Sequence, residues 1–409
     1  MDLDLFQNPL MGTLVPISGF SPDGAPWSHK AFLPNPLPDA SPELTGAAYR
    51  GVAEARAALS ALDATAQRLP NPRLFRRSTL RLEAHSTAAL EGTYEPLVRV
   101  LAADEEEAAD PSLREVINYL VVAETAFAWN EEGRPWSTAS LATLQALLVE
   151  GTASEREESG EIRRIQVVIG RRPEADPRTP PIQAARFVPP PPGADLEARV
   201  RDLLGWMQVA PRPEIDPVVA AAMGHYAFEA LHPFHDGNGR LGRLFIVLQL
   251  HKAGVLTEPT LSVSPWFESR RTGYFDALMG VSTHGDWPTW VEFFAQGLAE
   301  SARTTHRRML SLADLQEQLK GRVQESSLRS MKASALIDFA VGQPTFTIRQ
   351  ASDGIGMAYQ GTKKLVDKLV HLGIIAPYGA RTYNRRFHAP AVMDVLLGHT
   401  RPEPPAHDR

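Results

Sequence analysis

His232-Pro-Phe-His-Asp-Gly-Asn-Gly-Arg-Leu-Gly-Arg243 puts an imidazole, a carboxylate, a glycine turn and two arginines at the start of an apolar helix. The glycines of Asp236-Gly-Asn-Gly239 allow a tight turn whose N–H groups converge on an anion, and the following helix adds its positive end. Arg240 and Arg243 are three residues apart, so both guanidinium groups share one helix face and can fork onto neighbouring phosphate oxygens. Leu241, Leu244, Phe245 and Leu248 form the adjoining stripe that seats the helix in a core. An arginine pair on a buried helix start calls for an anion.

Other readings of the run meet the residues less well. An EF-hand loop beginning at Asp236 needs Gly at its sixth position and Glu at its twelfth, where Leu241 and Val247 stand. A Walker-type loop needs Gly-Lys-Ser/Thr after the glycines, and Arg and Leu occupy those places. His225, Glu229 and His232 are spaced i, i+4, i+7, which with His235 leaves a zinc or iron site open, though such a site gives the arginines and the Gly-Asn-Gly turn no task.

The run resembles the signature of the Fic family, HPFx(D/E)GNGRxxR, with every specified position matched. Most members move the AMP part of ATP onto a hydroxyl side chain of a target protein. Carried over by position, the resemblance implies that His232 is the base acting on the target hydroxyl and that Asp236 holds Mg²⁺. It implies further that Gly237, Asn238 and Gly239 line the anion hole, and that Arg240 and Arg243 reach the β- and γ-phosphates. Leu241 and Gly242 complete the ATP-binding run, and Phe234 is expected to be a core plug.

Upstream, Ser86-Thr-Ala-Ala-Leu-Glu-Gly-Thr93 resembles the family's inhibitory motif (S/T)xxxE(G/N), through Thr87, Glu91 and Gly92. Glu91 falls near the C-terminal end of an expected helix closed by Gly92, where the dipole disfavours a carboxylate. The resemblance supplies Arg243 as its partner, a pairing that would keep the arginine from the γ-phosphate. Because this motif precedes the signature, the chain resembles the class with an N-terminal inhibitory helix.

Between the motifs, Gly160-Glu-Ile-Arg-Arg-Ile-Gln-Val-Val-Ile-Gly170 reads as strand-forming sequence bounded by glycines. It is similar to the family's flap, a β-hairpin that lays a target segment beside the site, with Ile165, Gln166, Val167 and Val168 expected near its tip. Tyr274 and Phe275 stand where relatives often carry an aromatic pair, and Tyr274 is assigned to adenine contact.

The 409 residues are 43% hydrophobic and 22% charged, an ordinary globular composition with room for two or three domains. No cysteine is present, which excludes disulfides and thiol chemistry within the chain. The start, Met1-Asp-Leu-Asp4, has no basic n-region, and no 18-residue apolar run occurs, so a cytoplasmic, membrane-free protein is expected. Proline clusters at Pro22 to Pro42, Pro173 to Pro192 and Pro402 to Pro405 predict loops, an N-terminal arm and a frayed end. The acidic run Asp104-Glu-Glu-Glu107 reads as solvated surface. Periodic runs predict helices at about 46–69, 112–129, 139–150, 195–209, 216–231 and 241–253, hence a mainly α fold.

From about Ser326 three short helices, Met331 to Val341, Ile348 to Ile355 and Gln360 to Leu372, are followed by a two-stranded reading of Gly373 to Phe387. This looks like the winged helix that some Fic proteins carry. The expected fold is thus a Fic-type helical core with a β-hairpin flap and a C-terminal winged-helix domain. The expected division is an arm and inhibitory-helix region over 1–110, a catalytic domain over 111–300, a helical linker over 301–325 and the winged helix over 326–409. Residues 326–409 hold 11 Lys and Arg against 6 Asp and Glu, a formal +5 in a chain of −6. Lys363, Lys364 and Lys368, with Arg381, Arg385 and Arg386 in the wing, suit DNA phosphates or a protein contact equally.

These readings converge on a self-inhibited protein adenylyltransferase using Mg-ATP, with a hydroxyl-bearing target protein or itself as acceptor. Removal of AMP from the same target would use the same residues. A homodimer, common in the family, is a further expected partner. The alternative is a DNA-binding regulator whose Fic-like part senses a nucleotide.

Overall fold

The computed structural model of the chain describes residues 1–20, 24, 26–68, 73–103, 110–328, 330–379 and 385–398. The acidic run Asp104 to Glu107, the wing residue Arg381 and the Pro402 to Pro405 tail lie outside the described residues. The chain opens with an antiparallel hairpin, β1 (Gly12–Phe20) and β2 (Pro26–Pro34), registered from Gly12 opposite Pro34 to Phe20 opposite Pro26. A loop was expected over Pro22 to Pro42. The strand forms because Pro26 and Pro34 stand at its two ends, where a missing N–H interrupts no ladder.

Helices dominate from there. They are α1 (Gly46–Arg68), α2 (Arg73–Glu91), α3 (Leu97–Ala102), α4 (Pro111–Glu131) and α5 (Thr138–Val149). A second hairpin, β3 (Ile169–Arg171) and β4 (Ala185–Phe187), encloses the one-turn α6 (Pro181–Ala184). Then come α7 (Ala194–Gln208), α8 (Pro217–Leu231), α9 (Asn238–Lys252), α10 (Ser264–Ser269), α11 (Arg271–His284) and α12 (Trp287–Glu325). The six periodic runs fall on α1, α4, α5, α7, α8 and α9. Local chemistry sets their starts: Asp110 caps Ser112 N at 3.1 Å before Pro111, and Asp216 caps Val218 N at 2.8 Å before Pro217. The stretch read as a helical linker belongs to one unbroken helix, α12, which runs from Trp287 to Glu325.

The C-terminal part comprises α13 (Met331–Gly342), β5 (Thr345–Thr347), α14 (Ile348–Ile355), α15 (Tyr359–His371), β6 (Ala376–Tyr378), β7 (Arg386–His388) and α16 (Pro390–Leu396). Its three strands are ordered β5-β7-β6, both pairs antiparallel. Thr347 and Gln350 form a reciprocal capping box at the start of α14. This part packs on α2, α3 and α12; Arg77 of α2 donates to Gln343 Oε1 at 2.9 Å and Thr345 Oγ1 to the carbonyl of Ala102 on α3 at 3.1 Å.

The centre of the molecule is the α8–α9 pair. α9 is buried from Asn238 to Leu250, and α8 is buried along most of its length. With α2, α4 and α7 against α9, and α1 and α12 against α8, the connection between the two helices is held from several sides.

Candidate active site

The α8–α9 connection is the 232–237 stretch, and its shape follows from two left-handed residues. His232 closes α8 at φ 47°, the one non-glycine residue with positive φ among those described, and Gly237 starts α9 at φ 87°. A side chain held in that conformation costs on the order of 1–3 kcal/mol and persists only where its surroundings impose it. Arg163 imposes it here. Its Nε donates to the His232 carbonyl at 2.8 Å, its NH2 to Pro190 O at 2.5 Å, and its own N–H to Pro233 O at 2.9 Å. Asn238 staples the far side, accepting from Phe234 N at 2.8 Å and donating to Phe234 O at 2.9 Å. Phe234 is 1% exposed, as expected of a core plug.

These contacts correct the reading of 160–170 as a strand. Arg163 is drawn into the elbow and Gln166 Nε2 donates to Pro189 O at 2.9 Å, so the ladder starts only at Ile169. The hairpin residues that reach the site are Ile169, Gly170, Arg171, Arg186 and Phe187. Ile165, Gln166, Val167 and Val168 lie before the paired strand, and Ile165 faces solvent.

A cavity of about 410 Å³ opens beside the elbow, of a size typical for small-molecule sites. Its walls include His232, Tyr226 and Glu229 from α8, Gly239 at the start of α9, the β3–β4 hairpin, and Phe275, Leu278 and Met279 from α11. Here the assignment of Tyr274 is corrected. Tyr274 is fully buried, with its hydroxyl 2.6 Å from His225 Nε2 and its ring stacked on Phe267, while its neighbour Phe275 lines the cavity. At helical spacing adjacent residues point about 100° apart, so only one of the pair can face the opening.

The first N–H groups of α9 have no partner within the helix and would attract an anion. In this structure the Glu91 carboxylate stands against Gly239 in the first turn of α9, close enough that a Cβ there would run into Glu91 Oε1. Glu91 is the last residue of α2, which ends in a Schellman turn: Gly92 at φ 100° and Thr93 donate to Ala89 O and Ala88 O, each at 3.0 Å. The same carboxylate accepts from Arg243 NH2 at 2.6 Å, with side-chain exposures of 31% and 1%. Thr87 completes the grip, since Arg243 donates through Nε to Thr87 Oγ1 at 2.8 Å and through NH2 to Thr87 O at 3.2 Å. Burial opposes the Arg243 charge, but Glu91, with Tyr274 and Glu229 beside it, outweighs burial and holds the guanidinium above its ordinary pKa.

Arg240 is placed differently from Arg243. It is 1% exposed and paired with Glu115 at 2.5 Å and Asp236 at 3.2 Å, and it is not part of the cavity wall. Glu115 in turn accepts from Thr93 Oγ1 at 2.9 Å, so one carboxylate joins the end of the Glu91 segment to the α9 arginine. Leu241 is buried in the core, and Gly242 packs where a Cβ would meet Glu229 Oε1 at 2.5 Å. Burial would raise the Asp236 carboxyl, but Arg240, Ser154 and the Gly237 N–H together hold it below the usual carboxylate range.

Burial pushes the His232 imidazole down to about 4, with Glu91 and Arg163 acting in opposite directions. It is therefore neutral near pH 7 and able to accept a proton. Burial pushes the Glu229 carboxyl up to about 8, Arg243 pulling it down and Glu91 pushing it up. The metal reading of His225, Glu229, His232 and His235 finds no support. His225 is buried against Tyr274, His235 is exposed, and among the described residues no group of three or more His, Asp and Glu is placed to hold an ion.

Three functional supports carried no sequence signal: Arg163, Glu115 and Glu83. Glu83, two turns before Glu91 on α2, is fully buried and accepts from Ser262 Oγ at 2.8 Å and from Ser264 N and Oγ at 2.9 and 2.5 Å, which ties α2 to α10. Burial raises its carboxyl despite these donors.

Residues 49–128 match the model of the Fic/DOC family N-terminal segment, and residues 135–250 that of the Fic/DOC family. The protein adenylyltransferase Fic of Culex quinquefasciatus is 34% identical over 138 residues, covering 34% of this chain and 23% of that protein. The protein adenylyltransferase fic-1 of Caenorhabditis elegans is 34% identical over 139 residues, with the same shares. The chain thus spans about a quarter of the length of these curated relatives. A crystal structure of a Fic family protein from Desulfovibrio desulfuricans G20 superposes with a TM-score of 0.52 at 23% identity, over 86% of this chain and 98% of that one, a likeness of fold. Among the described residues no helix is long and apolar enough to cross a membrane. The elements that carry Glu91, His232 and Arg243 therefore lie within the stretches that match the Fic/DOC family and its N-terminal segment, while α11, which completes the cavity wall, lies beyond them.

Proposed function

We propose that the chain is a protein adenylyltransferase that transfers AMP from ATP to a hydroxyl side chain and is held inactive by its own Glu91. The observation that carries this reading is the Glu91 carboxylate itself. It fills the anion position over the start of α9 and occupies Arg243, two groups that a triphosphate would otherwise engage. An internal carboxylate where a phosphate belongs is a competitive plug.

With Glu91 withdrawn, His232 removes the proton from the target hydroxyl, whose oxygen forms a bond to the α-phosphorus. The bond from that phosphorus to the α,β-bridging oxygen breaks and pyrophosphate leaves. Arg243 turns to the γ-phosphate and orients the chain of phosphates for in-line attack. The α9 N–H groups stabilise charge on the phosphate oxygens. Mg²⁺ fits this arrangement, because Asp236 offers a single half-buried carboxylate, and magnesium commonly takes one or two carboxylates with the phosphates and water as its remaining ligands. When bound there it would neutralise charge between the α- and β-phosphates. Arg240 must leave Glu115 to reach the β-phosphate.

The test is incubation with α-labelled ATP. Label retained on protein by the parent or the Glu91→Gly form, and lost in Glu91→Gly/His232→Ala, supports transfer. Nucleotide binding with no label in any form refutes it. A second reading, DNA binding by the C-terminal part as a winged helix, is favoured by one observation: Lys363, Lys364 and Lys368 are all exposed on α15. Affinity for duplex DNA that falls steeply with salt would support it.

A further inference from the structure

From the cavity mouth we infer that the target segment is acidic, with carboxylates flanking the accepting hydroxyl; this rests on the transfer reading above. Three arginines from three elements converge there. Arg171 lies on β3, Arg186 on β4 and Arg271 at the start of α11, and all three line the cavity. Arg171 and Arg271 are exposed, and among the described residues neither forms an ion pair with a carboxylate. The Arg171 guanidinium rests on the carbonyls of Asp176 and Thr179, and Arg271 stacks over Phe275, 5.7 Å from the ring centroid. Arg186 is the one that is neutralised, by Asp276.

At the other end of the cavity the charges are already matched: Glu91 and Asp236 stand at the start of α9, paired with Arg243 and Arg240, the two arginines that the transfer reading gives to the triphosphate. The outer arginines are therefore surplus to the nucleotide. They stand on the hairpin and helix that an extended segment must cross to bring a hydroxyl to His232. A segment rich in lysine or arginine would meet at least two uncompensated guanidinium groups on the way in. An acidic segment meets complementary charge and competes with Asp276 for Arg186. Such complementarity acts through partner choice and encounter rate more than through raw affinity.

The experiment uses the full chain carrying Glu91→Gly, α-labelled ATP, and synthetic peptides with one central Ser, Thr or Tyr flanked by Glu, Ala or Lys. The expected result is labelling of Glu-flanked peptides roughly tenfold above Lys-flanked ones, the scale of two or three exposed charge pairs. Arg171→Glu combined with Arg271→Glu reverses the order, Arg171→Lys with Arg271→Lys preserves it, and the KM for ATP is unchanged in both. Equal labelling of acidic and basic peptides overturns the inference, as does an order that survives charge reversal. A raised KM for ATP on reversal assigns the arginines to the nucleotide instead. Self-labelling with no peptide labelled also overturns it and leaves the transfer reading standing. Absence of any label in the Glu91→Gly protein refutes the transfer reading first.

Discussion

Replacing Glu91 by glycine should convert a plugged site into an open one, and the gain can be worked from the contacts it breaks. Removing one member of a buried ion pair typically costs about 3–5 kcal/mol. Glu91 is 31% exposed, so solvent screens its share, and Thr87 keeps both of its contacts to Arg243. We take ~2 kcal/mol as the remaining hold of Glu91 on the arginine. In the parent, ATP must displace that hold before Arg243 can meet the γ-phosphate, so its removal raises productive binding about 30-fold at ~1.4 kcal/mol per decade. The assay is label incorporation from α-labelled ATP at matched protein and Mg²⁺ concentration, below saturation. Glu91→Gln, which keeps the volume over Gly239 but not the charge, should fall between parent and Glu91→Gly. Adding Arg243→Ala to Glu91→Gly should return labelling to the parent level, because both act through one contact. Equal labelling by parent and Glu91→Gly would refute the argument and leave Glu91 a helix-end charge of no consequence.

His232→Ala in the Glu91→Gly background should abolish transfer while ATP binding, read by fluorescence titration, stays within a few fold. Asp236→Ala should shift the Mg²⁺ dependence of labelling to higher concentration, since it removes the carboxylate offered to the ion. Glu229, held at about 8 in the folded chain against an ordinary carboxyl near 4.5, keeps a proton that the unfolded chain releases between those values. Stability should therefore decline as pH rises from about 4.5 through 8, and Glu229→Gln should flatten that decline in thermal melts. Removing residues 326–409 should leave labelling chemistry in place and abolish DNA affinity. Because that part packs on α2, it should also lower the melting temperature.

The close approach of the 87–91 segment to the 232–243 run was legible because each segment joins residues close in sequence: His232 to Arg243 within twelve positions, Thr87 to Glu91 within about one helical turn. Helical periodicity similarly gave α1, α4, α5, α7, α8 and α9. Long-range polar contacts were not legible. Nothing in the sequence around Arg163 announces that it will bond to carbonyls at 190 and 232, so a β-rich, glycine-bounded stretch read as a strand when tertiary contacts had claimed it. The Tyr274 assignment failed for a related reason: two adjacent aromatics on α11 differ in facing, and sequence position alone does not say which one is turned to the core. Glu83 and Glu115 likewise had no pattern, because their partners, Ser262 and Ser264 or Arg240 and Thr93, lie on other elements.

Arg163 also explains how His232 is held at positive φ, where the proposed transfer needs its base. The strain at His232 aims its imidazole into the cavity from the end of α8, and it is sustained from outside the loop by donors to the carbonyls of Leu231 and His232 and to Pro233. Arg163→Ala removes the side-chain donors to 231, 232 and 190 while leaving every motif residue in place. The loop can then relax His232 toward negative φ, which re-aims the ring without changing the nucleotide site. Arg163→Ala should accordingly lower kcat in the Glu91→Gly background by roughly 10- to 100-fold, the scale of a misplaced catalytic group, with KM for ATP nearly unchanged. Arg163→Lys cannot supply the fork of donors and should recover little of the loss. A parallel rise in KM for ATP, or kcat equal to that of Glu91→Gly alone, would show that the elbow holds its shape without Arg163 and that the strain is maintained by Asn238 and the packing of Phe234.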